Sequence, residues 1–430
     1  TDANRLRLEQ DWRSQHEGFW RAFRARFSNQ ELGVFEFAKT DLRSLQMAQL
    51  RQHQRDVVVQ VWGVPPEVMG IIENCHDAET ECLTRDGWRR HDALTLADDV
   101  ATWSEEHQAL EYQRPTAVLR YDHVGPMHRW RAKGLRSRVD VCVTPGHRMW
   151  SRDRRGSWSF ETSEVLSSRR GFFSWRRTGG GYSGDVKFVC IPPHTYVRQT
   201  RRPDSAEVVV PVEDFAAFLG YYVSEGYSTT AGSVAIGQSD DGVGFNPPEG
   251  TAAKIADAVE RIATRLEVPV GQRCRGRSAS RRTGRLGKRA WEWRFTHRGL
   301  AAWLEEHAGR TSRAKRLPRE VFDWSPVAQR ALLDAMIDGD GSRGARGGAQ
   351  YFSFSRQLLD DVQHLCVQLG LGSSLDDDVT LCISASTNHA GGENALVTVG
   401  DYDLGPWASE EHYEGVVWCV TVPNGRFFTR

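Results

Sequence analysis

The chain of 430 residues has no apolar run of about 18 residues, so no membrane-spanning helix is expected. Its first residues, Thr1 to Trp12, are polar and hold no signal-peptide pattern. An initiator Met is absent too, and a fragment or a processed piece is the expectation. The eight cysteines, at positions 75, 82, 142, 190, 274, 366, 382 and 419, form no C-x-x-C pair. That argues against a zinc site and a disulfide scaffold, and it suits a reducing cytosol. Net charge is missing as well, with 56 Lys and Arg against 56 Asp and Glu. The length predicts two or three domains with a substantial core.

The zero balance hides a segregation of charge. Arg273 to Arg298 holds ten Lys or Arg and a single acid, Glu292. The stretch from Ser151 to Arg202 is also basic, whereas Leu375–Val379 is acidic. Trp291 and Trp293 alternate within the first basic run, the spacing of a strand. That combination predicts a ribbon along a phosphate backbone, with Arg273, Arg275, Arg277, Arg281, Arg282, Arg285, Lys288, Arg289 and Arg294 as DNA contacts. A solvated arginine loop is the bland alternative.

Three regimes follow one another along the chain. Thr40 to Gly63 reads as one amphipathic helix with Leu42, Leu45, Leu50 and Val57 on one face, stopped at Gly63-Val-Pro-Pro66. Residues 75–200 read as short strands and turns. From Asp214 helices alternate with strands, and a unit recurs: Phe218 to Gly226 and Leu333 to Gly341 are small-residue-rich helices ending in an acid and a glycine. Each is followed by a strand and a second helix. Small residues allow close helix approach, and the glycines are expected as αL caps. Side by side, the two helices would bring Glu225 and Asp340 together, as two-metal phosphodiester cleavage requires. The last segment, Tyr413 to Arg430, reads as a hairpin turning at Pro423-Asn-Gly425.

Two further patterns carry chemistry. Cys75 opens Cys75-His-Asp-Ala-Glu-Thr-Glu-Cys82, and Thr144-Pro-Gly-His147 follows on an apolar strand. With Val416-Val-Trp-Cys419, these motifs resemble those of an intein carrying an embedded LAGLIDADG (DOD-type) homing endonuclease, over roughly residues 75–430. The resemblance implies that Cys75 attacks the preceding carbonyl, converting the Asn74–Cys75 amide to a thioester. Thr144 and His147 would polarise that amide and protonate the departing nitrogen. Cys419 either assists acyl transfer or fills the core, and Cys82 is expected in the core. For the endonuclease, the resemblance assigns Glu225 and Asp340 to a divalent metal, Mg²⁺, and Lys315 to the scissile phosphate. The partner would be double-stranded DNA of the uninterrupted host gene, met by a monomer.

The implied architecture is multidomain. A mostly helical amino-terminal segment, 1–74, resembles part of a tailed-phage portal protein. An all-β Hint-type splicing domain, 75–204 and 386–430, is interrupted by an α+β endonuclease, 205–385, with a pseudo-twofold repeat. The pattern departs from the family at its end, because the His-Asn pair expected beyond Arg430 is absent. Amino-terminal cleavage without complete splicing is therefore expected, unless a carboxy-terminal intein fragment acts in trans. A portal protein with an inactive insertion, or a DNA-binding regulator on a degenerate endonuclease fold, are the other readings. Both acids are present, which speaks against the regulator. Packing does not require the Cys75, Thr144 and His147 set, which speaks against a purely structural insertion.

Overall fold

A computed structural model describes residues 6, 7, 10, 74–131, 139–153, 155–168, 173–176, 178–194, 206–241, 246–275, 288–345, 347–384, 396–399 and 408–430. The chain divides into two compact units, Thr1–Met69 and Gly70–Arg430. The expected helix at 40–63 and most of the portal-like segment lie outside the described residues, as do Arg277, Arg281, Arg282 and Arg285.

In the larger unit the described strands begin with β1 (His76–Asp77), β2 (Glu81–Thr84), β3 (Gly87–Arg90), β4 (Val100–Ser104), β5 (Ala109–Gln113), β6 (Ala117–Arg131) and β7 (Asp140–Val143). Next come β8 (Arg148–Arg152), β9 (Trp158–Thr162), helix α1 (Ser163–Ser168), β10 (Phe173–Arg176), β11 (Phe188–Ile191) and β12 (Val208–Pro211). The repeat region follows: α2 (Val212–Glu225), β13 (Gly226–Ser228), β14 (Ser233–Asp240), α3 (Thr251–Arg265), β15 (Gly271–Arg275), β16 (Arg289–Thr296) and α4 (Arg298–His307). Its second half is α5 (Pro326–Asp340), β17 (Gly341–Arg343), β18 (Ala349–Phe352), α6 (Arg356–Gln368), β19 (Ser373–Asp377) and β20 (Thr380–Ile383). Two strands close the chain, β21 (Leu396–Val399) and β22 (Ala408–Thr421).

β1, β22, β6 and β7 form a closed barrel. β22 pairs with β6 from Ala408↔Trp130 to Thr421↔Ala117, so chain from both sides of the repeat region builds one ladder. The expected hairpin within 413–430 does not form. β22 already spends its ladder on β6 and β1, and the segment after the Pro-Asn-Gly turn crosses to β2 and β4 instead. There the Leu83 amide donates to Phe428 O (3.0 Å), and Phe428 donates to Ala101 O (3.2 Å).

The two halves of the repeat have one topology. Their sheets run β13-β14-β16-β15 and β17-β18-β20-β19, each covered by helices. α5 starts on Ser325, whose hydroxyl accepts the Ala328 amide, with Pro326 at its first turn. α6 starts on Ser355 in the same way. Buried residues of both halves, from Phe215 and Leu219 to Leu332, Met336, Leu358 and Leu365, make a single core.

The repeat region is bound tightly to the β-rich part. His364 and Gln368 of α6 meet Tyr112 OH of β5 at 2.7 and 2.9 Å. Arg85 pairs with Asp323 at 2.6 Å, and Tyr182 donates to the same carboxylate at 2.7 Å. Arg430 reaches Glu81 and Asp360 at 2.6 and 2.5 Å.

Candidate functional sites

α2 and α5 lie against each other through small residues in two layers. A Cβ on Gly220 would sit 2.6 Å from Leu332 O and 2.7 Å from Ala335 Cβ. One turn on, a Cβ on Gly339 would sit 2.8 Å from Ser224 Cβ, while the Ser224 hydroxyl donates to Met336 O at 3.3 Å. Close contact brings the two helix ends together with their acids. The glycines after those acids are not αL caps. Gly226 has φ −98° and ψ 158°, and Gly341 has φ −121° and ψ −178°, both extended. The chain turns straight into a strand, and glycine is needed for space. A Cβ on Gly226 would lie 2.7 Å from Tyr222 O, and one on Gly341 2.7 Å from Ile337 O and Gln350 O.

Burial, then the neighbouring Asp340, pushes Glu225 up to about 7. Burial raises Asp340 to about 6, with Lys315 opposing the rise. Gln238 Nε2 donates to Glu225 Oε1 at 3.4 Å. Lys315 is not a solvated flank; it is 3% exposed. Its Nζ donates to Tyr222 O at 2.8 Å, lies 3.5 Å from the centre of the Tyr222 ring and faces the last turn of α2. Burial lowers Lys315 to about 7. Two half-buried carboxylates at adjacent helix C-termini, held partly protonated, suit a hard dication, whose charge would favour their ionised forms. Among the described residues no third acid, His or Cys joins them in a metal cluster.

The basic ribbon requires two corrections. On β16 buried residues alternate with exposed or half-exposed ones. Trp291 and Trp293 are 7% and 2% exposed and face the core under the helices, because the β16 face shared with Val234 and Ile236 is the one α3 covers. Arg289 shares that inner face and is fully buried. Its guanidinium holds Asp240 at 2.6 Å and donates to Asn246 O at 2.8 Å, and burial bars it from DNA. That paired guanidinium and the Trp291 indole hold Asp240 down to about 2. The outer face instead carries Arg273, Arg275 and Arg294, which register with Glu292, Ala290 and Ala235. Arg294 donates to Tyr227 OH at 2.6 Å. Lys288 is exposed and pairs with Asp241 at 3.2 Å.

A second cluster lies at the barrel. The Cys75 amide donates to Thr144 Oγ1 at 3.1 Å, and the Thr144 amide returns a bond to Cys75 O at 3.0 Å. His147 closes the turn, its amide donating to Thr144 O at 3.0 Å. The Asn74 backbone lies near the His147 ring, where it favours the charged imidazole, and the Arg148 amide donates to Asn74 Oδ1 at 3.0 Å. The Asn74–Cys75 peptide is thus held from both sides. Burial lowers His147 to about 4, so the ring is neutral near pH 7; the residue keeps some exposed surface, but its Nδ1 has none.

The register His76↔Trp418 carries Cys419 opposite Cys75, in one apolar cluster with Met127, Cys142 and Val417. Both readings of Cys419, helper and core filler, remain compatible with that position. Cys142 in the same cluster is pushed up to about 12 by burial. Cys82 packs with Leu94, Val100 and Trp418, as a core residue should. Sequence reasoning missed Gln238 and His76. Only His76 had a visible signal, its place beside Cys75.

No family model matches the chain. A curated relative, an ATP-dependent Clp protease proteolytic subunit from Chlamydomonas moewusii, is 27% identical over 177 residues, 37% of this chain. The chain spans 16% of that relative's length. The homing endonuclease I-WcaI bound to its DNA recognition sequence has a similar structure at TM-score 0.28 and 10% identity, covering 40% of this chain and 76% of that one. A splice-inactive variant of the AceL NrdHF class 3 split intein does so at TM-score 0.20 and 17% identity, over 32% and 76%. Structures similar to this chain therefore include a split intein and a homing endonuclease.

Proposed function

We propose that residues 75–430 are an intein of the Hint type carrying a LAGLIDADG homing endonuclease. The splicing domain would comprise 75–204 and 386–430, and the endonuclease 205–385. Residues 1–74 would be the host segment, of tailed-phage portal type, in a cytoplasmic protein that works as a monomer. The observation that carries the reading is the reciprocal hydrogen bonding of Thr144 with Cys75, with His147 beside Asn74, on a barrel assembled from both sides of the repeat.

The chemistry follows from that arrangement. Cys75 Sγ attacks the Asn74 carbonyl carbon, the C–N bond breaks, and the thiol proton ends on the freed amino group of Cys75. Thr144 Oγ1 fixes the amide N–H, and neutral His147 meets the Asn74 backbone where charge develops. The product is a thioester on Cys75, open to exchange with an added thiol. A carboxy-terminal fragment supplied in trans would complete splicing. Incubating the full chain with thiol should release residues 1–74, and Cys75→Ala should abolish release. An intact wild-type chain under these conditions would sink the proposal.

For the second activity, Glu225 and Asp340 would hold Mg²⁺, which when bound supplies Lewis-acid stabilisation of a scissile phosphate. Gln238 orients Glu225, and Lys315 adds positive charge beside Asp340. Arg273, Arg275 and Arg294 offer the outer sheet face to the phosphates of double-stranded DNA. Cleavage of the uninterrupted host gene with Mg²⁺, lost in Asp340→Ala, is the expected result.

A further inference from the structure

The residue after the proposed nucleophile has no assigned role, and its surroundings are unusual. His76 is 4% exposed, and its ring centre lies 4.4 Å from that of His147 at an interplanar angle of 66°, an edge-to-face contact. Trp418 from β22 and Phe427 from the carboxy-terminal segment pack on it, each at 5.6 Å. Among the described residues the Nδ1 atoms of both histidines are buried without a hydrogen-bond partner. A core imidazole that served only to fill space would find a partner for that nitrogen or give way to an apolar residue.

We propose, building on the splicing reading above, that His76 is a positioning residue for the acyl shift. Its ring fixes His147 against the Asn74 backbone. Burial disfavours charge on either ring, and two imidazolium rings at this distance would repel as well, so the pair is neutral near pH 7. The charged or titratable groups around the pair are few. After burial, Arg148, next to His147, disfavours its charge. On its own strand Asp77 points to the other side, where Thr80 donates to it at 2.5 Å. Trp418 and Phe427 bring no charge. Desolvation and the His147 ring both lower His76, in keeping with the geometry.

The test measures thiol-induced release from the full chain between about pH 4 and 8, with imidazole nitrogen NMR of His147, in wild type, His76→Phe and His76→Ala. Phe keeps the ring contact and removes the second imidazole. In that variant the His147 midpoint and the acid limb of the release profile should stay within about half a unit of wild type, because His76 is neutral while His147 titrates. His76→Ala should slow release about tenfold near neutral pH, and Phe should restore most of that loss. Loss of release in a folded His76→Phe overturns the proposal, as does an unchanged release rate in His76→Ala. If the alanine variant fails to fold, the phenylalanine variant still decides. Should wild type release nothing at any pH, the splicing reading fails, while the NMR midpoint still reports on the histidine pair.

Discussion

The two halves of the repeat agree where they are buried and part where they are exposed. Register makes the comparison residue by residue. Ile236 and Trp293 pair in the first sheet, at the place of Tyr351 and Leu381 in the second, so each half fills its layer with one large and one medium side chain. Gly226 and Gly341 hold equivalent places at the two helix ends. On the outer face, Tyr227 and Arg294 of the first half stand where Ser342 and Cys382 stand in the second. Packing and the acid pair fix what must be alike, because two helices can share a close seam only if both present small residues. The outer faces are free to differ, and there only the first half is basic.

The seam is the place to break that likeness most severely. Gly220→Ala places a methyl against Leu332 O and Ala335 Cβ at distances that force the helices apart. We expect a loss of about 2–4 kcal/mol in denaturant unfolding. The equivalent contact from the other helix, Ala335→Gly, removes one methyl and should cost only about 1 kcal/mol. Equal costs would mean that the two helices do not share the seam as described.

A smaller effect, of opposite sign, is expected at the acids. Burial raises Glu225 from the ordinary carboxylate range to about 7, so ionising it costs more in the folded than in the unfolded chain. The folded state therefore binds the extra proton, and stability from this group falls as pH rises from the unfolded value to about 7. Glu225→Gln removes that loss. Its gain should be absent below about pH 4.5, grow through the window and level off above pH 7, at about 1–2 kcal/mol after allowance for partial exposure. Thermal unfolding across that range checks the sign, and a gain at low pH instead would overturn the account of Glu225.

Much of this was legible in the sequence, and what was not has a common cause. The acid-tipped helices, the Thr-Pro-Gly-His turn and the short strands of 75–200 stand where patterning put them, since period and turn residues act locally. The face of β16 was misread because alternation gives two faces without saying which one the helices cover. Arg289 made the buried face look basic, and only its meeting with Asp240, 49 residues earlier, explains a buried guanidinium. The glycines were expected to serve a conformation, but they serve a clearance set by Tyr222, Ile337 and Gln350. His76 depends on three separate segments, those of His147, Trp418 and Phe427, and no local pattern joins them.

The smallest effect would sharpen the difference between the outer faces. If Arg294 meets a phosphate, Arg294→Ala should weaken binding of a mixed-sequence duplex and reduce the slope of log affinity against log salt by about one. Cys382→Arg puts the same charge at the equivalent place in the second sheet, half-exposed next to Gln350. It should raise the slope by a similar amount if both outer faces lie along the duplex, because a phosphate contact depends on reach and charge and not on base identity. A slope that falls in Arg294→Ala but does not rise in Cys382→Arg would mean that the first sheet alone tracks the backbone. Stability should barely change in either variant, since an exposed ion pair such as Arg294 with Glu292 contributes about 0–1 kcal/mol. Arg289→Ala is the control with the reverse pattern. It should lower the unfolding temperature by leaving Asp240 buried without its guanidinium, and leave the salt slope where it was.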